Sequence, residues 1–185
     1  MKRVLDLALA IPLAVLASPL VLAAAIWIRL TSPGPAIFAQ ERIGKDEKPF
    51  RCLKLRTMYQ GTASLPTHEV GEKAVTTAGR VLRTMKFDEL PQLWNVVRGE
   101  MSLVGPRPCL PTQEALMKRR RELGVYRLRP GITGLAQLEG VDMSDPEKCA
   151  EKDAEYLETR SLGMDMKIVL MTLAGIGLRR RRPGS

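Results

Sequence analysis

From Val4 to Leu30 the chain carries no charge except Asp6 and Arg29, and most of its other side chains are apolar. About 27 such residues make a helix of ~40 Å, against a hydrocarbon core of ~30 Å in a bilayer. The pattern predicts a membrane-embedded element at residues 1–30, followed by a domain at residues 31–185. Ser18-Pro19 lies in the middle of the element, where proline removes a backbone donor, and Pro12 adds a second weak point. Split at Pro19, the arms would be ~21 Å and ~16 Å long, each too short to cross. Both flanks are basic, with Lys2 and Arg3 before and Arg29, Arg42, Lys45, Lys48 and Arg51 after. Cations favour the cytoplasmic side, so a bent helix that enters and leaves through one leaflet suits both flanks. A kinked spanning helix suits the length equally well, and the pattern leaves the two open. No A-x-A-like site closes a short apolar stretch, which disfavours a cleaved signal.

The rest of the chain alternates short elements with turns. Thr31 to Pro35 is a proline-rich linker, and Ala36–Arg42 and Phe50–Arg56 read as two strands of a β-hairpin around a polar turn. In the second strand Lys54 and Arg56 fall on one face, an arrangement that also suits a solvated sheet edge. Tyr59 to Ala74 reads as a loop. Thr76–Met85 reads as a helix capped by Thr76 or Thr77, with Arg80 and Arg83 on one face. Asp88 is expected to cap a helix from Glu89 to Val97 that tolerates Pro91 in its first turn and ends at Gly99. A charged helix follows over Thr112–Leu123, then an Arg129-Pro130-Gly131 turn and a helix from Asp145-Pro146 to about Thr159. Leu162–Leu178, with Arg179 to Arg182 after it, reads as an interfacial helix with a basic anchor, or as a core helix with a basic end. The expected fold is α/β of the α+β kind, mostly helical, with a small hairpin and amphipathic helices.

Composition narrows the partners. The chain has 185 residues, a net charge of +9 and a pI near 9.8, which calls for an anionic partner. Aromatics make up only 4% and do not interleave with the basic residues, so base stacking, and with it nucleic acid, is disfavoured. Cys52, Cys109 and Cys149 are far apart in sequence and lack metal-ligand spacing, as expected of a reducing compartment. His68 stands alone in a polar loop and reads as surface.

The densest chemistry lies between Arg83 and Pro108. Asp88 and Glu89 are adjacent carboxylates at the start of a short helix, with Arg83 before them and Arg107 after, in Gly105-Pro106-Arg107-Pro108. Such a group is either a surface ion network or a place where a carboxylate meets phosphates. A helix N-terminus attracts phosphate and favours an ionised carboxylate, and an ionised aspartate can attack phosphorus to form an acyl phosphate. That chemistry needs cations on the non-bridging oxygens; Lys54, Arg56, Arg83 and Arg107 are available, the last held by two prolines. Glu89, with Asp88, offers oxygen ligands of the kind Mg²⁺ prefers. Neither a phosphate-binding G-x-x-x-x-G-K-[ST] loop nor a dinucleotide glycine pattern is present.

Three long segments, Asp88 to Val96, Ser102 to Pro108 and Arg129 to Gln137, resemble the bacterial sugar transferase family in its small monotopic phosphoglycosyl transferase form. Lys54 to Met58, Lys2-Arg3 and Ser18-Pro19 fit as well, so the resemblance covers almost the whole chain. It implies transfer of a phospho-sugar from a UDP-sugar to undecaprenyl phosphate with release of UMP, as the first membrane step of glycoconjugate synthesis. In that scheme Asp88 attacks the β-phosphorus, Glu89 assists at the metal or the lipid phosphate, and Lys54, Arg83 and Arg107 lie near the phosphates. Ser18-Pro19 becomes the break of a re-entrant helix, and Lys2-Arg3 its headgroup anchor. The expected cofactor is Mg²⁺, and the expected place is the bacterial inner membrane with the site on its cytoplasmic face; a homodimer is compatible with the pattern. A single ternary complex and a non-catalytic binder of anionic lipids are the alternatives. The sequence departs from the family at Lys86-Phe87, at Thr159-Arg160-Ser161 and in the loop from Gln60 to Lys73, where sugar choice could lie.

Overall fold

The computed structural model describes residues 1–62 and 74–175. His68, most of the 60–73 loop and the basic run Arg179–Arg182 lie outside the described residues.

Helix α1 runs unbroken over Lys2–Thr31, through both Pro12 and Pro19. The expected break at Ser18-Pro19 does not interrupt the helix, and the chemistry explains why. Proline at 19 lacks the N–H that would bond the Val15 carbonyl four residues back, and the Ser18 hydroxyl donates to that carbonyl instead, at 2.7 Å. One stripe of α1 faces the domain along its whole length. Asp6 and Ala10 are buried near its start, Ala14 and Ala17 pack beside Cys52, Leu93, Val96 and Met101, and Ala24 and Ile28 pack beside Leu55, Ala78 and Leu82. The spacing of three and four residues is that of a helix face. The other face leaves Val4, Val15, Leu16, Leu22 and Leu30 exposed.

Strands β1 (Ile37–Ile43) and β2 (Pro49–Leu55) form the expected antiparallel hairpin, with Phe38 opposite Lys54 and Gln40 opposite Cys52. Helix α2 (Thr77–Thr84) starts at Thr76, whose side chain accepts from the Gly79 amide. Gly79 is pressed against the strand extension: a Cβ there would lie 2.0 Å from the Thr57 carbonyl oxygen. Helix α3 spans Gln92–Arg98 and ends at Gly99 with φ 86°. It begins three residues later than the sequence implied, because Asp88 does not cap it. Residues Phe87–Glu89 form a separate 3₁₀ turn. A cap at 88 would need the amide of residue 90 or 91; Leu90 N bonds Phe87 O, and Pro91 has no N–H.

A second sheet pairs β3 (Ser102–Val104) in parallel with β4 (Gly131–Thr133). These three-residue strands are too short to show a period-two pattern. They bring the two glycine- and proline-containing motifs together so tightly that a Cβ on Gly131 would sit 2.1 Å from the Gly105 amide nitrogen. Helices α4 (Glu114–Glu122), α5 (Leu135–Leu138), α6 (Pro146–Thr159) and α7 (Leu162–Leu173) complete the domain. Helix α6 has its cap at Asp145 as expected.

Candidate active site

Lys54 reaches the dyad from β2, Asp88 and Glu89 from the 3₁₀ turn, and Arg107 from the loop after β3. One oxygen of Glu89, Oε1, accepts from Lys54 Nζ at 3.2 Å and from Arg107 Nη2 at 2.5 Å. Burial alone would raise the Glu89 pKa, but Arg107 and Lys54 outweigh it and hold the carboxyl well below the usual carboxylate range. Glu89 is therefore ionised and organises two cations. Among the described residues no hydrogen bond reaches its other oxygen, Oε2.

Asp88 is the opposite case. Among the described residues its half-buried carboxylate takes no hydrogen bond and no ion pair within 4 Å. Burial first, and the Glu89 charge second, push its pKa up, against the pull of Lys54, Arg83 and Arg107. A desolvated carboxylate with no partner keeps its lone pairs for an incoming electrophile. Arg83 is held beside it by an Nε bond to Thr57 Oγ1 at 2.9 Å, and burial lowers its pKa. Lys86 precedes the dyad in a left-handed conformation, φ 57°.

The loop carrying Arg107 is fixed by more than its prolines. Gly105 N donates to Thr133 O at 2.9 Å, and Gly131 N to Pro106 O at 2.8 Å. Arg120 Nη1 donates to the Arg107 carbonyl at 2.9 Å, and Arg42 Nη1 to that of Pro108 at 3.0 Å. Arg120 is itself buried and held by Asp153 Oδ2 through Nε and Nη2, at 2.9 and 2.6 Å. Arg42 has no carboxylate partner within 4 Å among the described residues, and burial and the Arg107 charge lower its pKa to about 10. Lys54, Arg83, Arg107 and Arg42 thus outnumber the two carboxylates, so the site carries excess positive charge awaiting an anion.

Asn95 ties α3 to the hairpin. Its side chain accepts from Leu53 N at 3.0 Å and donates to Arg51 O at 2.7 Å, fixing the stretch of β2 that leads into Lys54. Sequence reasoning missed Asn95, Arg42, Arg120 and Asp153. A lone Asn inside Leu93-Trp94-Asn95-Val96-Val97 was a usable signal for Asn95, since a polar group on an apolar face needs a partner. Arg120 stands within Lys118 to Arg121 and looks like any other surface cation.

Three expected roles are placed elsewhere. Arg56 does not join the clamps; its guanidinium bonds the carbonyls of Ser32, Pro33 and Gly34 and closes the linker. Lys2 pairs with Asp165 at 2.7 Å, and Arg3 donates to the Val96 and Val97 carbonyls at the end of α3. Both are thus tied within the protein, Lys2 to Asp165 of α7 and Arg3 to the last turn of α3.

Residues 1–178 match the family described as Bacterial sugar transferase. The chain belongs to that family. This bacterial sugar transferase is 44% identical over 186 residues to a UDP-glucose:undecaprenyl-phosphate glucose-1-phosphate transferase of Caulobacter vibrioides, covering 95% of the chain and 69% of the relative. It is 40% identical to a UDP-N-acetylgalactosamine-undecaprenyl-phosphate N-acetylgalactosaminephosphotransferase of Aeromonas hydrophila, covering 96% of the chain but only 45% of that longer protein. A shorter relative, the exopolysaccharide production protein ExoY of Sinorhizobium fredii, is 35% identical and 86% covered.

Glu89→Gln in this sugar transferase is expected to cost about 2 kcal/mol of stability at pH 7, since it removes charge-assisted bonds to two cations. A group whose folded pKa is depressed stabilises above its unfolded value, about 4.3, and loses that contribution only as pH falls through the lower folded value. The deficit should therefore persist from pH 7 to pH 5 in denaturant titrations; equal stability of the two proteins at pH 7 would show the pairing to be ornamental.

Proposed function

We propose that the chain transfers a phospho-sugar from a UDP-sugar to a polyprenyl phosphate, releasing UMP, by way of a phospho-aspartyl intermediate on Asp88. The observation that carries the reading is the contrast within the dyad: Glu89 is committed to Lys54 and Arg107, whereas Asp88 is uncommitted and sits among cations. Asp88 attacks the β-phosphorus, a phosphorus–oxygen bond forms, and the bond to the UMP oxygen breaks with its electron pair leaving on UMP. An oxygen of the lipid phosphate then attacks the same phosphorus and returns Asp88 as a carboxylate. Arg83, Lys54 and Arg107 hold the non-bridging oxygens in both steps.

Mg²⁺ fits this donor set in one way. Among the described residues there is no cluster of three or more His, Cys, Asp or Glu side chains that could hold a metal. Mg²⁺ needs no such cage, since one or two carboxylates plus substrate phosphates suffice. Glu89 Oε2 and Asp88 are the residues that would hold it, and its charge would neutralise the diphosphate.

The same reading places α1 in one leaflet of a membrane. Its length and composition would allow a crossing. Yet Asp6, near its start, accepts from Ser102 Oγ and Leu103 N, and Ile28, near its end, packs on Leu55 and Leu82. Both ends thus stay on one domain, which favours a re-entrant path, with the site on the cytoplasmic face as the basic flanks favour.

UMP release from a panel of UDP-sugars in detergent tests the reaction. At least one sugar should give turnover that depends on polyprenyl phosphate, falling at least ~100-fold in Arg107→Ala. No UMP from any UDP-sugar, with lipid present, would leave a binder of anionic surfaces as the better description.

A further inference from the structure

A second cationic cavity lies away from the dyad, and nothing in the proposed reaction uses it. It is a half-open pocket of about 110 Å³, lined by Lys2 and Arg3 of α1, Lys45 of the hairpin turn, the exposed Arg127 and Arg129 before β4, and the exposed Arg160 between α6 and α7. Four separate stretches of chain converge on it, so the cluster is built by the fold and not by one basic run.

The acids that could neutralise it are already taken. Asp6, in the cavity wall, is buried and accepts from Ser102 Oγ and Leu103 N. Asp165, beside it, is taken by Lys2 and by the Tyr156 hydroxyl. Arg129 spends its Nε on the Gly99 carbonyl. Among the described residues the guanidiniums of Arg127 and Arg160 have no hydrogen bond and no ion pair. Uncompensated guanidiniums facing a shared cavity repel one another, and an anion relieves that repulsion while taking up their donors.

We propose that this cavity binds the phosphate of an anionic phospholipid headgroup; the inference rests on the membrane-surface placement of α1 proposed above. Surroundings select lipid over a soluble ion. The first turn of α1 lies at the cavity, and flanking its lining residues Lys2 and Arg3, Met1 is 96% exposed and Val4 71%. Apolar side chains beside a basic pocket match the two halves of a lipid. Anchoring thus falls to Arg127 and Arg160, while Lys2 and Arg3 are spent inside the protein.

The test titrates dioctanoyl phosphatidylglycerol into the detergent-solubilised full chain by calorimetry, beside dioctanoyl phosphatidylcholine and inorganic phosphate. The parent should bind phosphatidylglycerol, and the double variant Arg127→Gln/Arg160→Gln should bind it at least ~10-fold more weakly, at ~1 kcal/mol per lost cation. Equal affinity in that variant, or equal affinity for phosphatidylcholine, would overturn the site. Displacement by inorganic phosphate at matching concentration would overturn the lipid assignment. UMP release in detergent, read on the same preparations, should be unchanged by the double variant. A parent that binds phosphatidylglycerol yet releases no UMP would contradict the reaction and leave this site standing.

Discussion

Asp88→Asn is expected to abolish UMP release, by at least ~10⁴-fold, while leaving the folded protein more stable than the parent at neutral pH. The two effects have one cause. Burial and the neighbouring Glu89 charge raise the Asp88 pKa, so the folded state binds its proton more tightly than the unfolded chain does. A raised pKa favours folding below the unfolded value, and that advantage is lost as pH climbs through the folded value; at pH 7 the ionised group costs stability. Asparagine keeps the shape and removes the charge. Its melting temperature should therefore rise at pH 7, with the gap narrowing towards pH 4. An inactive variant that melts lower would point to lost structure instead of a lost nucleophile. Since Glu89→Gln is expected to destabilise, the adjacent carboxylates should shift stability in opposite directions.

The second large effect lies outside the dyad. Arg120 and Asp153 side chains are only 2% and 3% exposed, and burial, which would lower the Arg120 pKa, is overridden by the Asp153 charge. Asp153→Asn leaves a buried guanidinium without its counter-charge, which costs ~3–5 kcal/mol in comparable cases. For a chain of this size that is on the order of 10 °C in melting temperature. Replacing both partners, as Arg120→Met/Asp153→Leu, should recover much of the stability, because no buried charge remains. It should not recover activity, since the Arg107 carbonyl loses its Arg120 donor and the clamp on Glu89 loosens. Full activity in the stable double variant would show that the prolines alone orient Arg107. A thermal scan paired with UMP release separates the outcomes.

Elements with a strong local signature were legible in the sequence. The hairpin, the Thr76 cap of α2, the Gly99 end of α3 and the Asp145-Pro146 start of α6 follow from side chains within a few residues. The parallel pairing of β3 with β4 joins segments nearly thirty residues apart, through strands too short to show a pattern. Asp88 looked like a helix cap because its residue type favours that role; Pro91, three residues on, withholds the amide that a cap would need. Lys54, Glu89 and Arg107 were each named from sequence, but their convergence on a single oxygen is a product of tertiary packing. Arg56 shows the converse: a cation one residue past the end of β2, turned to the linker carbonyls.

The central claim is that Asp88 carries the phospho-sugar between donor and acceptor. Incubating the protein with a UDP-sugar labelled at the β-phosphate, with Mg²⁺ and no polyprenyl phosphate, then quenching in acid and digesting, tests it most directly. The account predicts label on the peptide containing Asp88, close to one per chain, chased off as lipid product when polyprenyl phosphate is added and absent in Asp88→Asn. An active enzyme that holds no label before the lipid arrives would contradict it and favour direct transfer within a single ternary complex.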